Sequence, residues 1–189
     1  MIIVVKSKRV ILDLCSGTGS WSQPYMDAGY HVVRYDLESF SMSDIRLLEY
    51  RKDNVYGILA APPCTDLSSS GARWWAEKGI DRLVGALGIV DACLRQVVLH
   101  QPKFWCLENP VGRLVHYLGR PCMTFDPCDY GDPWVKKTCL WGNFVIPPKK
   151  RVYPSMGSLI LRMRPSIDRA MHRSQTPSGF AFAFFNSNR

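Results

Sequence analysis

Acidic residues nearly vanish from the C-terminal part of this 189-residue chain. Residues 136 to 189 hold one acid, Asp168, against 10 Lys and Arg, whereas residues 1 to 135 hold 15 acids and 14 basic residues. The whole excess charge of +8 therefore lies in the last 54 residues. That asymmetry fits a polyanionic partner, with a merely solvated surface as the blander reading. Metal-ligand spacing is lacking too. The seven cysteines, at 15, 64, 93, 106, 122, 128 and 139, include no Cys-x-x-Cys pair, so no zinc or redox motif is expected. An odd, scattered set suits a reducing compartment in which most thiols are small buried apolar groups. No uninterrupted apolar run approaches the roughly 18 residues of a membrane span. Ile2-Ile3-Val4-Val5 is too short for a signal-peptide core. Repeats and low-complexity stretches are absent. These absences predict a cytoplasmic protein with no membrane and no metal; a monomer is the expected state. With 47% apolar and 21% charged residues, it reads as one globular domain over 1–189.

What is present is an alternation of short apolar runs and helical patterns. Val10 to Leu14, His31 to Tyr35, Val55 to Ala61 and Phe104 to Leu107 read as buried strands. Trp21 to Ala28 reads as a helix closed by Gly29, and Ile80 to Val98 carries apolar residues at helical spacing. Asp66 to Lys78, rich in Ser and Gly, reads as a mobile loop. Two strands are expected between Met123 and Trp141, flanking Tyr130-Gly131-Asp132-Pro133, and a closing helix over Gly179 to Phe185. The pattern predicts a three-layer α/β fold with a mainly parallel sheet. In such sheets function gathers at the carboxyl ends of strands. Four strands here end on chemically distinctive residues: Asp13, Asp36, Cys64 and Glu108.

The turn Cys15-Ser16-Gly17-Thr18-Gly19-Ser20 after the first strand permits close backbone approach to a ligand. Asp36, at the tip of the second strand, can accept the hydroxyls of a ribose. Together they favour an adenosine-containing cofactor without choosing between NAD and S-adenosylmethionine. Cys64 follows Pro62-Pro63, a stiff turn that presents a thiol for nucleophilic attack. The carboxyl group of Glu108 stands at the end of another strand, where it can hold a ring nitrogen or else cap a following helix. Asn109 can anchor the loop or contact a base.

These motifs, in this order, resemble the cytosine-C5 DNA methyltransferases over nearly the whole chain. The resemblance implies a Rossmann-like fold that binds S-adenosylmethionine. It places Asp13, Cys15, Ser16, Gly17, Thr18, Gly19, Trp21, Asp36, Leu37, Asp44, Ile45, Pro62 and Thr176 around that cofactor. It makes Cys64 the nucleophile that adds to C6 of cytosine, Glu108 the group that engages N3, and Pro63 and Asn109 their companions. The target base must then leave its stack. Ser68, Trp74 and Trp75 follow the nucleophile; the tryptophans either stack on or replace a base, or simply pack on the surface.

Several positions depart from the family's pattern. Cys15 and Leu37 stand where bulky cofactor contacts are usual, with Trp21 as a compensating aromatic. Pro110 replaces Val. In the later strand-turn motif Trp134, Lys136 and Thr138 replace a Gln and two arginines, with Lys137 between the last two. Residues 144–174 form a short basic segment where the family places a large target-recognition region. That compactness resembles methyltransferase-like proteins carried by phages, and a phage protein would work in the host cytoplasm. Lys149, Lys150 and Arg151 are the candidate phosphate contacts, alongside Lys136, Lys137 and Thr138 near the base. The expected substrate is DNA, duplex or single-stranded, read with low or short specificity. The alternatives are a free cytosine nucleotide such as dCMP, or a non-catalytic nucleic-acid-binding protein with the same fold.

Overall fold

The computed structural model describes residues 9–37, 44–49, 54–158 and 175–189. Its sheet has six strands: β1 (Val10–Leu14), β2 (His31–Tyr35), β3 (Val55–Ala60), β4 (Phe104–Pro110), β5 (Met123–Phe125) and β6 (Thr138–Asn143). Their spatial order is β2-β1-β3-β4-β6-β5. The pairs β1–β2, β1–β3 and β3–β4 are parallel, while β6 runs antiparallel to both β4 and β5. The helices are α1 (Gln23–Asp27), α2 (Trp75–His100), α3 (Val115–Leu118) and α4 (Ser178–Ser187).

Strand alternation sends side chains to two cores, one on each face. Leu12, Leu14, Ile58, Ala60, Leu107 and Trp141 pack against Leu83, Val90, Ala92 and Cys93 of α2. Ile11, Leu59, Cys106 and Leu140 pack against Tyr25 of α1 and Phe180, Phe184 and Phe185 of α4. Helices thus cover both faces of a mostly parallel mixed sheet. Among the described residues, one helical stretch, 69–100, is long and apolar enough by length and composition to cross a membrane. Charges such as Arg82 and Asp91 interrupt it, so it is no unbroken apolar run in the sequence.

Two expectations change. Asp66 to Lys78 is not an open loop: Ser69–Trp74 is a 3-10 helix capped by Ser68, and α2 already begins at Trp75. Ser68 Oγ accepts from the Ser70 amide, which satisfies a donor at the helix start. Gly79 then breaks α2 with a φ of 72°, a conformation that favours glycine. In addition, β4 does not stop at Leu107. Antiparallel pairing with β6 matches Glu108 to Leu140, Asn109 to Cys139 and Pro110 to Thr138, so the catalytic candidates are strand residues.

Candidate active site

The nucleophile turn is built from the backbone outward. The Ala61 amide donates to the Leu14 carbonyl at 3.0 Å, tying the end of β3 to the end of β1. Beyond Pro62 and Pro63 the Cys64 carbonyl accepts from the amides of Leu67 (3.0 Å) and Ser68 (2.8 Å), closing a tight turn. Cys64 is half-buried, Pro62 is buried and Pro63 is exposed. Asn109 Nδ2 donates to the Pro62 carbonyl at 2.8 Å from a side chain that is itself buried. Two prolines supply no amide donors of their own, so this side-chain bond substitutes for a backbone tie.

The segments after Cys64 and after Glu108 are fastened together. Ser69 donates to the Val111 carbonyl through both its amide and its hydroxyl, each at 2.8 Å. The Arg113 amide donates to the Leu67 carbonyl at 2.8 Å, and Ser68 pairs with Gly112. A Cβ on Gly112 would collide with the Leu67 carbonyl, so only glycine allows this approach. The Val111 amide also reaches the Lys137 carbonyl at 3.4 Å. Three separate stretches, 62–64, 108–110 and 136–138, therefore meet at one end of the sheet.

Burial holds the Glu108 carboxyl above its ordinary range, and the nearby Lys136 charge pulls it partly back. A carboxyl group in that state retains its proton to higher pH and can donate to a ring nitrogen. Thr138 is buried and its hydroxyl donates to the Lys136 carbonyl at 2.8 Å, so it shapes the backbone rather than presenting a donor outward. Lys137 is exposed.

The glycine turn forms a second cluster beside β1 and β2. Gly17 and Gly19 take φ values of 50° and 70°, and Cys15 takes 57°. The Gly17 amide donates to Asp36 Oδ2 at 2.8 Å. Gly17 and Thr18 are exposed and Ser16 is half-buried. The Thr176 amide donates to Ser20 Oγ at 3.1 Å, so the C-terminal motif returns to this turn although it lies 156 residues away. A glycine-rich turn with its carboxylate partner on the neighbouring strand fits an adenosine-type cofactor. Asp13 beneath the turn is buried; burial pushes its carboxyl up to about 6, with Ser22 and Arg34 opposing the rise.

Other candidates fall elsewhere than expected. Trp21 is only 2% exposed and packs edge-on against Phe184, so its ring belongs to the core rather than to a cofactor surface. The Cys15 side chain hydrogen-bonds with Cys93 of α2, and that bond, with burial, raises the Cys93 thiol. Leu37 is exposed. Ile45 is buried, and Asp44 caps its turn, accepting from the Arg46 amide at 2.9 Å and pairing with the Arg46 side chain. These bonds hold the Asp44 carboxyl low. Trp74 is 47% exposed, whereas Trp75 lies under the Arg113 guanidinium, 3.8 Å from the ring centre. Trp74 is the more exposed ring, although the Arg73 guanidinium lies 4.9 Å from its centre.

The expected basic wall is partly spoken for. Lys149 Nζ lies 2.8 Å and Arg151 Nε 3.0 Å from the Asp129 carboxylate, while the exposed Lys150 sends its amide to the Asp129 carbonyl. Arg162, Arg164, Arg169 and Arg173 of the 144–174 segment lie outside the described residues. Among the described residues no group of three or more His, Cys, Asp or Glu could hold a metal ion. Arg34, which no motif singles out, contacts the glycine turn at the Gly19 carbonyl and the entry to α1 at Ser22. Its signal in sequence was a charge at a strand position whose neighbours on the same face are inward-facing.

No protein-family model matches the sequence, and no curated protein matches it. In fold, the chain is similar to the crystal structure of a candidate DNA modification methyltransferase encoded within a prophage of E. coli, with a TM-score of 0.50 and 19% identity. The match covers 85% of this chain but 56% of that one, so the chain spans little more than half the length of the protein it resembles.

Proposed function

We propose that this protein is an S-adenosylmethionine-dependent methyltransferase that modifies C5 of cytosine in DNA, built on a Rossmann-like domain. The observation that carries the reading is the bond from Asn109 to the Pro62 carbonyl, which joins the nucleophile turn to the Glu108 strand. The fold's likeness to a candidate DNA modification methyltransferase supports methylation of DNA as the general activity.

In this reading the Cys64 thiolate adds to C6 of the target cytosine, forming a C–S bond as electron density moves towards C5 and N3. Glu108, in its acid form, donates to N3 and stabilises that density. S-adenosylmethionine, when bound, supplies the electrophilic methyl group that C5 takes up. Loss of the C5 proton then restores the ring double bond and expels Cys64 as thiolate. Asn109 keeps the Pro62-Pro63-Cys64 turn in register with Glu108. Asp36 and the Gly17 turn hold the ribose of the cofactor. Trp74 stacks on a base beside the extruded one. The exposed basic residues meet phosphate, with weak sequence preference.

A second reading keeps the chemistry but takes a free cytosine nucleotide. The pairing of Lys149 and Arg151 with Asp129 favours it, because those cations are less available to a long phosphate backbone. Incubation with radiolabelled S-adenosylmethionine and, separately, duplex DNA, single-stranded DNA and dCMP tests both. Label in DNA supports the proposal. Label in dCMP alone establishes the second reading, and label in none of the three overturns both.

A further inference from the structure

The glycine turn is held by a side chain outside every motif. Arg34 lies on β2 in register with Asp13 of β1, and alternation turns both towards the α1 face of the sheet. Its Nη2 donates to the Gly19 carbonyl at 2.9 Å and to Gln23 Oε1 at 3.2 Å. Its Nε donates to Ser22 Oγ at 3.0 Å and lies 4.0 Å from Asp13 Oδ2. One planar guanidinium thus joins the end of the turn, the entry to α1 and the buried carboxylate below. Lysine, a point charge on a flexible stem, cannot span these acceptors together.

The surroundings support a specific role for this group. Asp13 Oδ2 is buried without a hydrogen bond, and the Arg34 charge 4.0 Å away joins Ser22 in partly offsetting the cost of that burial. A Cβ on Gly19 would overlap the Arg34 guanidinium, and the φ of 70° at that residue already disfavours any side chain. The guanidinium thus lies directly against the Gly19 backbone, while the positive φ is what requires glycine there. Two residues earlier, the Gly17 amide points at Asp36. The two glycines share one turn, closed by the Gly19 amide donating to the Ser16 carbonyl at 2.8 Å.

We infer that Arg34 is a positioning residue for the cofactor turn, fixing Gly19 and the entry to α1 so that Gly17 and Asp36 are preset for a ribose. The inference rests on the cofactor reading above and deepens it. Preorganisation of this kind acts on binding rather than on the methyl-transfer step.

The test compares wild type, Arg34→Met and Arg34→Lys in the full chain. Titration calorimetry with S-adenosylmethionine should show about tenfold or greater weakening in Arg34→Met, as expected from losing charge-assisted hydrogen bonds. The Lys variant should fall between. The KM for cofactor should rise while kcat at saturation stays within about threefold of wild type, a split that a general loss of folding would not produce. Without cofactor, the Gly17 and Gly19 amide protons should exchange faster in Arg34→Met. Wild-type affinity together with wild-type exchange in the variants overturns the inference. Should Arg34→Met not fold, Arg34→Lys carries the same comparison. A wild type that binds no S-adenosylmethionine removes the cofactor reading instead, and the exchange rates still decide whether Arg34 holds the turn.

Discussion

Asn109 reaches from β4 to the Pro62 carbonyl, 2.8 Å away, and so fixes the position of Cys64 relative to Glu108. Replacing Asn109 with Ala removes the tie from a turn whose two prolines cannot bond to the strands through their nitrogens. The expected result is a fall in kcat of about 10- to 100-fold, the scale associated with misplacing a reacting group. Cofactor affinity, governed at the other cluster, should stay the same. Steady-state kinetics with calorimetry on the same preparation checks both.

Desolvation raises the half-buried Glu108 carboxyl above the ordinary carboxylate range, despite the opposing Lys136 charge. Its acid form is the one that donates to N3. Raising pH through the elevated folded value therefore removes the donor, so kcat/KM should decline on that alkaline side. Glu108→Gln should abolish that limb and lower the rate by at least about 100-fold, the upper range of general-acid contributions being larger still. Persistence of the limb in Glu108→Gln would assign it to another group.

Asp13 has a folded pKa of about 6 against an ordinary 3.8, again mainly through burial. For a raised carboxyl, the folded state binds more protons than the unfolded state between those values. Its stabilising contribution is complete below about pH 4 and lost as pH rises to about 6. Urea unfolding at pH 4 and pH 7 should show wild type losing on the order of 3 kcal/mol more than Asp13→Asn across that interval. Parallel losses in the two proteins would contradict the assignment.

The Asp129 carboxylate is kept low by Lys149, the Asp126 amide and Arg151, which together outweigh its partial burial. Lys149→Gln with Arg151→Gln should therefore change the salt dependence of DNA binding less than Lys137→Gln with Lys150→Gln. The latter pair should reduce the slope of log K against log salt by about 2 if each meets one phosphate. Fluorescence anisotropy over a salt series measures both.

Much of this arrangement was legible in the sequence, and for identifiable reasons. β1 and β2 are short apolar runs with an acid next to or just beyond their last residue, and they occur where the pattern places them, at Val10–Leu14 and His31–Tyr35. The sequence also pointed to 62–64, 108–110 and 136–138, which the sheet brings together. The extension of β4 was hidden, because Glu108-Asn109-Pro110 looks like a turn until β6 pairs with it in antiparallel register. Trp21 looked like a free aromatic beside a cofactor turn, yet its fate depends on α4, whose Phe184 covers it from far along the chain. Ser-Gly composition made 66–78 look open, while its order comes from Ser69 bonding to Val111 and from Lys78 pairing with Asp66 at 2.6 Å. Arg34 belongs to no local motif, because its partners at Gly19, Ser22 and Asp13 come together only when β2 lies beside β1.

The central claim is that Cys64 forms a covalent bond to C6 of cytosine. It is tested most directly by incubating the protein with S-adenosylmethionine and DNA containing 5-fluorocytosine, where fluorine at C5 blocks release of the enzyme. The account predicts a denaturation-resistant protein–DNA species whose cross-linked peptide contains Cys64, and its loss in Cys64→Ser. A protein that methylates ordinary cytosine at C5 yet gives no such species, or gives it undiminished in Cys64→Ser, would contradict the account.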